Sequence, residues 1–152
     1  MLAIRRATDD DVAEMAQLAA DFGLFTADPQ SLASHAERIA ALVADPRHCV
    51  VVADHDGVLV GYAHAQDYGP TLRHSWTTAR LHDLFVREDH RQSGLGRRLH
   101  RAIVVWCRSR QVKHLEWQAA PSSIAFYQHL GYRADYGTDY ANHPSFEHWF
   151  DA

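Results

Sequence analysis

Between Leu84 and Leu99 the chain reads LFVREDHRQSGLGRRL, a strand-like run that enters a glycine-containing turn and opens into a helical pattern. Such a layout can hold an anion. The first amides of a helix have no intrahelical acceptor and lie at the positive end of its dipole, so a phosphate is stabilised there. Gly94 and Gly96 let the anion approach the backbone, and Arg91, Arg97 and Arg98 place cationic side chains around it. Two other phosphate loops are excluded. A Walker loop needs GxxxxGK followed by Ser or Thr, and a dinucleotide fingerprint needs a third small residue where this chain has Leu99. Taken alone, the turn also fits a helix start without a ligand.

Just upstream lie two candidates for proton transfer, His82 and Asp83. Strict alternation puts His82, Leu84 and Val86 on one face of a strand and Leu81, Asp83 and Phe85 on the other. Imidazole, with a pKa of about 6.5, can accept a proton; Asp, at about 3.9, is a weak base unless burial raises it, and suits pairing with a cation. Both residues fit equally well as polar groups at a strand end. Tyr127 is a third candidate, because a phenol of pKa about 10 stays protonated at neutral pH and can donate its proton. Periodicity beside Ile124 and Leu130 by itself makes it a core aromatic. The 12 histidines show no HExxH spacing and no CxxC partner, so no metal site is expected.

These groups need elements to position them. Leu2 to Arg6 alternates as a strand, and Thr8 or Asp9 then caps a helix carrying Val12, Met15, Ala16, Ala19 and Phe22, stopped by Gly23. Asp28-Pro29 starts a second helix with Leu32, Ala36, Ile39 and Val43 in one stripe, closed by Pro46. Cys49–Ala53 and Val58–Gln66 form a hairpin about Asp56-Gly57, and the loop Tyr68–Thr78 leads to the strand Ala79–Val86. Leu95, Leu99, Ile103 and Trp106 mark one side of the next helix, with Arg97, Arg101 and Arg108 on another. Val112–Ala119 is a strand, Ser122–Leu130 a short helix ended by Gly131, and Tyr132–Thr138 and Phe146–Phe150 are two closing strands. Cys49 and Cys107 read as small buried hydrophobes, not as a disulfide.

The turn RQSGLG matches the (Q/R)xxGx(G/A) signature of GNAT-fold N-acetyltransferases, with the strand LHDLFV before it and SIAFYQHLGY, Ser123 to Tyr132, after it. The resemblance spans essentially the whole chain. It implies a single α/β (α+β) domain over residues 1–152, with one mixed, mainly antiparallel sheet flanked by helices in the order β-α-α-β-β-β-α-β-α-β-β. It also implies acetyl-CoA as co-substrate. By the same resemblance the backbone of Phe85 and Val86 pairs with the pantetheine arm. Arg91, Gln92, Ser93, Gly94, Leu95, Gly96 and Arg97 hold the pyrophosphate, and Tyr127 is the general acid. The thioester lies where the strands ending at Val86 and near Ala119 splay apart. His82 stands where many relatives have an acidic residue, so His82 and Asp83 both remain candidates for the base. Ala120 replaces a cofactor-contacting asparagine; Ser122 and Ser123 follow it, and a serine hydroxyl there either meets the cofactor or caps the short helix.

Composition narrows the partners. A formal charge of −4 argues against a general attraction to nucleic acid or anionic membrane. No run approaches the roughly 20 apolar residues of a membrane-spanning helix, and no leader pattern opens the chain, so a cytoplasmic protein is expected. Asp21, Phe22, Phe25, Asp28, Tyr68, His74, Trp76, Asp135, Tyr136, Asp139, Tyr140 and Glu147 fall in the loops that line acceptor pockets in this architecture. Aromatics mixed with carboxylates suit a small ammonium compound. The similarity of LHDLFV and its glycine loop to diamine and polyamine acetyltransferases implies a small primary amine as acceptor. The alternatives are a peptide amino terminus, or a sensor module that binds acyl-CoA without turnover. A homodimer is also implied, with Phe146, Trp149 and Phe150 at its contact or in the core.

Overall fold

The computed structural model describes residues 1–137 and 142–151. Six strands form one sheet in chain order: β1 (Leu2–Arg6), β2 (His48–His55), β3 (Val58–Asp67), β4 (Thr78–Val86), β5 (His114–Gln118) and β6 (Ser145–Trp149). Every neighbouring pair is antiparallel except β4 and β5, which run parallel. Helices α1 (Val12–Asp21) and α2 (Pro29–Ala44) cover one face; α3 (Leu95–Ser109) and α4 (Ile124–His129) cover the other. No described helix is long and apolar enough to cross a membrane.

Local chemistry explains the element boundaries. Asp28 accepts the Ser31 amide at 2.8 Å with Pro29 at the first helical position, so α2 starts on a satisfied cap. Asp56 and Gly57 take φ of +52° and +90°, the left-handed pair that a two-residue hairpin between twisted strands requires. On α3 the buried stripe is Leu95, Leu99, Ile103 and Cys107; Trp106 is half-buried beneath Arg110, 5.4 Å away. Full burial of Leu99 and Ile103 contributes about 1.5–3 kcal/mol each. Cys49 and Cys107 are buried free thiols, whose pKa burial raises to about 11 and about 12. Phe146 and Phe150 belong to the same core, whereas Trp149 is exposed and stacks on His114.

Two expectations are corrected. Tyr132–Thr138 is not a strand: Thr138 lies outside the described residues, and before it only Asp135 pairs, in a single bridge to Ser145. Gly131 has φ of +99°, and the Gly137 amide turns back onto the Asp135 carboxylate at 2.8 Å, so the segment bends where a ladder would need it extended. Alternation along β4 also fails. His64 of β3 pairs with Asp83 and Ala65 with Leu81, which leaves His82 as an extra, bulged residue. Leu81 therefore packs in the same core as Leu84 and Val86, while Phe85 packs on the α1/α2 side.

Candidate active site

The parallel pair is short. Among the described residues β4 and β5 bond only through Thr78–Arg80 and His114–Glu116; beyond that point the edge of Leu81–Val86 facing β5 has no strand partner among them. The opening is a cleft of about 110 Å³, and of the site residues inferred from the sequence it is lined by His82, Asp83, Phe85, Ser123 and Tyr127, while Val86 and Arg91 to Arg97 lie outside its lining. His82, Asp83 and Phe85 form one wall, Trp117 to Ala120 the other, and Tyr127 and Ser123 close the end. Val86 stands at its head, buried and adjoining the turn that follows.

That turn is built to leave amides free. Gly94 precedes α3 with φ of +82° and no side chain caps the helix, while the amides from Gln92 to Arg97 donate to no acceptor among the described residues. A Cβ on Gly94 would meet nothing within 4 Å, so this glycine is needed for its backbone conformation. Gly96 has another reason. A Cβ there would come within 2.9 Å of the Phe126 ring, so its smallness lets α3 press against α4, not an anion against the backbone. Arg91 Nε donates to the Val86 carbonyl at 3.0 Å, and Ser93 Oγ donates to the His90 carbonyl at 2.5 Å; together they fold the turn onto the strand end. Gln92, at φ of +64°, contributes to the same reversal. Leu95 buries its side chain in the core and offers only its amide, and Arg97 is exposed. Arg98 points elsewhere, onto the opposite flank of α3.

Two oxygen-bearing side chains lining the cleft, Tyr127 and Asp83, have no partner among the described residues, and the buried Nε1 of Trp117 has none either. The Tyr127 hydroxyl makes no hydrogen bond among the described residues, although its ring is buried against Trp117 and Phe146, each 5.3 Å away. Burial, with a smaller contribution from the Asp83 charge, pushes its pKa above the ordinary phenol value, so it holds its proton firmly. Asp83 likewise has no hydrogen bond or ion pair among the described residues, and burial raises its carboxyl above the ordinary range. On its α1/α2 side lie Tyr62 and Phe85, with Phe22 stacked on Phe85 at 4.8 Å. Tyr62 is also pushed up, by burial and then by the Asp83 charge.

The bulge turns His82 towards a group of residues that spacing did not reveal. Its Nε2 meets Gln66 Oε1 at 3.0 Å, and because a carbonyl oxygen accepts, His82 carries hydrogen on Nε2 and a lone pair on Nδ1. Its ring packs 5.0 Å from His64, and His64 Nε2 lies 2.9 Å from His48 Nδ1. Burial first, then the charges of His82 and His48, lowers His64 to about 4. His82 is exposed at its edge, yet the packed side of its ring is desolvated; that burial, followed by Arg80 and His48, lowers its pKa as well. The Asp56-Gly57 hairpin sets His48 against Gln66 and Val50 against His64. Counting outward from that turn without interruption would set Cys49 against His64 and leave His48 on the other face; the register shift between Ala53 and Asp54 is what brings both histidines to one face, and no residue type announces it.

Other candidates are used structurally. Asp28 caps α2, Asp21 pairs with Arg87 at 3.0 Å, and Glu147 meets His114 at 3.0 Å. Phe25 stacks on His35, and His74 and Trp76 stack on each other; Tyr68 contacts His82 at 6.4 Å. Asp139 and Tyr140 lie outside the described residues. Neither Ser122 nor Ser123 caps α4 with its side chain, contrary to the capping expectation, because Ser123 itself takes helical φ and ψ; its hydroxyl is left beside the cleft. No cluster of metal-ligating side chains occurs among the described residues.

A sheet opened at its parallel pair, with free amides at the mouth and a phenol inside, is a layout for transferring an acyl group from a phosphate-bearing carrier. The sequence model of the acetyltransferase (GNAT) family matches residues 12–132, and the chain belongs to that family of acetyl-CoA-dependent acetyltransferases. Among solved structures it is similar to a transcriptional regulator from Bacillus halodurans C-125, with 19% identity, TM-score 0.80 and coverage of 91% and 97% of the two chains. It is also similar to an acetyltransferase from Thermus thermophilus, with 23% identity, TM-score 0.71 and coverage of 99% and 97%. The PaiA N-acetyltransferase from Thermoplasma acidophilum, solved with coenzyme A, has 12% identity, TM-score 0.76 and coverage of 99% of each chain. No curated protein matches the chain.

Proposed function

We propose that the protein acetylates a primary amine of a small molecule, with Tyr127 as general acid and Asp83 as the group that receives the acceptor's proton. The observation that carries this reading is the pairing of an unpartnered phenol and an unpartnered, half-buried carboxyl in one cleft. Acetyl-CoA supplies an activated thioester when bound. The free amides from Gln92 to Arg97 fit its pyrophosphate, and the unpaired edge at Phe85 and Val86 fits its pantetheine amides. Ala119 and Ser123 bound the space left for the thioester.

Asp83 is favoured over His82 because it lines the cleft with Tyr127 and has no hydrogen bond or ion pair among the described residues, whereas His82 is bonded to Gln66. Raising a carboxyl towards neutrality makes it a better base, while His82, already holding that bond, has its pKa lowered. The aromatic faces of Phe22, Tyr62 and Phe85 next to that carboxyl support an ammonium-bearing acceptor. Two copies of the chain working as a homodimer are consistent with this reading and are not required by it.

Tyr127→Phe is expected to lower kcat by about 10²–10³ with cofactor affinity unchanged. Equal losses in both, measured by thiol release and calorimetric titration with CoA, would contradict the acid role. The pH dependence follows from the signs. Tyr127 must be protonated and Asp83 ionised, so the rate rises with pH above the ordinary carboxylate value of 3.8. With the phenol held above its ordinary 10.0, no loss of the acid follows below that pH. Asp83→Asn should remove the rising limb; a limb that survives there and disappears in His82→Gln assigns the base to His82. A panel of small amines against peptide amino termini distinguishes the acceptor class.

A further inference from the structure

α3 has a second flank. Gly96 and His100 face α4 and the aromatic cleft, whereas Arg98, two residues and about 200° further round the helix, faces the other way. There Arg98, Arg101, Ala102 and Val105 form one wall of a groove of about 560 Å³; Ile4 and Arg6 of β1 form the other, above Val51 and Cys49. This volume is in the range of small-molecule sites. Its body is apolar, and Val105 is 56% exposed on it.

The charges are one-sided. Arg5 is engaged by Asp11 at 2.8 Å and Asp54 at 3.0 Å, but Arg6, Arg98 and Arg101 have no carboxylate partner among the described residues. Arg6 donates only to the His48 carbonyl, at 3.3 Å. No acidic side chain lines the groove. On a chain of formal charge −4, three guanidiniums without a counter-charge around an apolar floor are a local departure from the overall field. Guanidiniums pair with carboxylates in a planar, bidentate fashion, and exposed apolar surface gains by being covered.

We propose that the groove between β1 and α3 binds a small anionic amphiphile, a carboxylate joined to a hydrocarbon or aromatic body. The carboxylate meets Arg6 and Arg101, and the body lies along Ile4, Val51, Val105 and the half-buried Trp106. The site is independent of acetyl transfer, because it lies across α3 from the cleft that holds Tyr127 and Asp83.

Calorimetric titration of the full chain with decanoate is expected to show one site that saturating CoA leaves in place. The uncharged comparator 1,2-decanediol should bind at least about tenfold more weakly, and Arg6→Glu combined with Arg101→Glu should weaken decanoate by about tenfold or more. Arg6→Gln with Arg101→Gln is the milder pair if charge reversal prevents folding. Displacement by CoA, equal binding of the diol, or wild-type affinity in the folded double variant would each overturn the proposal. So would sedimentation showing a dimer that Arg101→Glu dissolves, which would make this face a contact between copies, or binding to anionic lipid vesicles without binding to decanoate.

Discussion

The starts of α2 and α3 answer the same physical problem in opposite ways. Both leave amides that the helix cannot satisfy. At α2, Asp28 takes the Ser31 amide and the Ser31 hydroxyl, each at 2.8 Å, and Pro29 has no amide to satisfy. At α3 a glycine in the left-handed region stands where a cap would be, and the amides from Gln92 to Arg97 remain unclaimed. The first start completes itself with its own side chain. The second is completed by something that arrives, and it sits beside an open strand edge that the first lacks.

The contrast can be broken most severely at Gly94. Gly94→Val forces a branched side chain into a φ of +82°, costing about 1–2 kcal/mol or rotating the amides away from their common centre. Cofactor affinity should fall about 100-fold with the fold retained, read by titration with CoA alongside a thermal melt; unchanged affinity would refute the assignment of the turn. Importing the α2 solution is the next test. Ser93→Asp brings a carboxylate to the same amides, and it should weaken CoA about tenfold while raising stability by up to ~0.5 kcal/mol. Parallel changes in the two quantities would show that the amides are not what the ligand uses. The smallest effect on binding belongs to α2 itself: Asp28→Ala should lose about 1 kcal/mol of stability and leave CoA affinity as it was.

How much of this was legible before the structure depends on whether a feature changes the residue pattern. Asp28-Pro29, Asp56-Gly57 and the RQSGLG turn each need particular residue types, and each forms where the sequence places it. The splay of β4 from β5 followed from the family resemblance and is present. The bulge at His82 was invisible, because an inserted residue changes the face of its neighbours without changing their hydrophobicity. The meeting of His48, His64 and His82 depends on that bulge and on three-strand register, so a scan along the chain saw only isolated imidazoles. At Tyr132 to Ala134 the apolar residues do pack, but as a bend held by the Tyr132 hydroxyl on His148 at 2.9 Å and not as a ladder.

The contact between His48 and His64 carries an internal polarity. Only one hydrogen fits between nitrogens 2.9 Å apart, so one of the two rings donates and the other accepts, while Asp45 lies 3.9 Å from His48 Nε2 on the far side of that ring. The pair has two opposite polarities: His48 donates from Nδ1 to His64 Nε2, or His64 donates from Nε2 to His48 Nδ1. His82, bonded to Gln66, packs on His64 without joining that bond. The two rings can reverse only together, so a proton placed on one of them sets the tautomer of the other across β2 and β3.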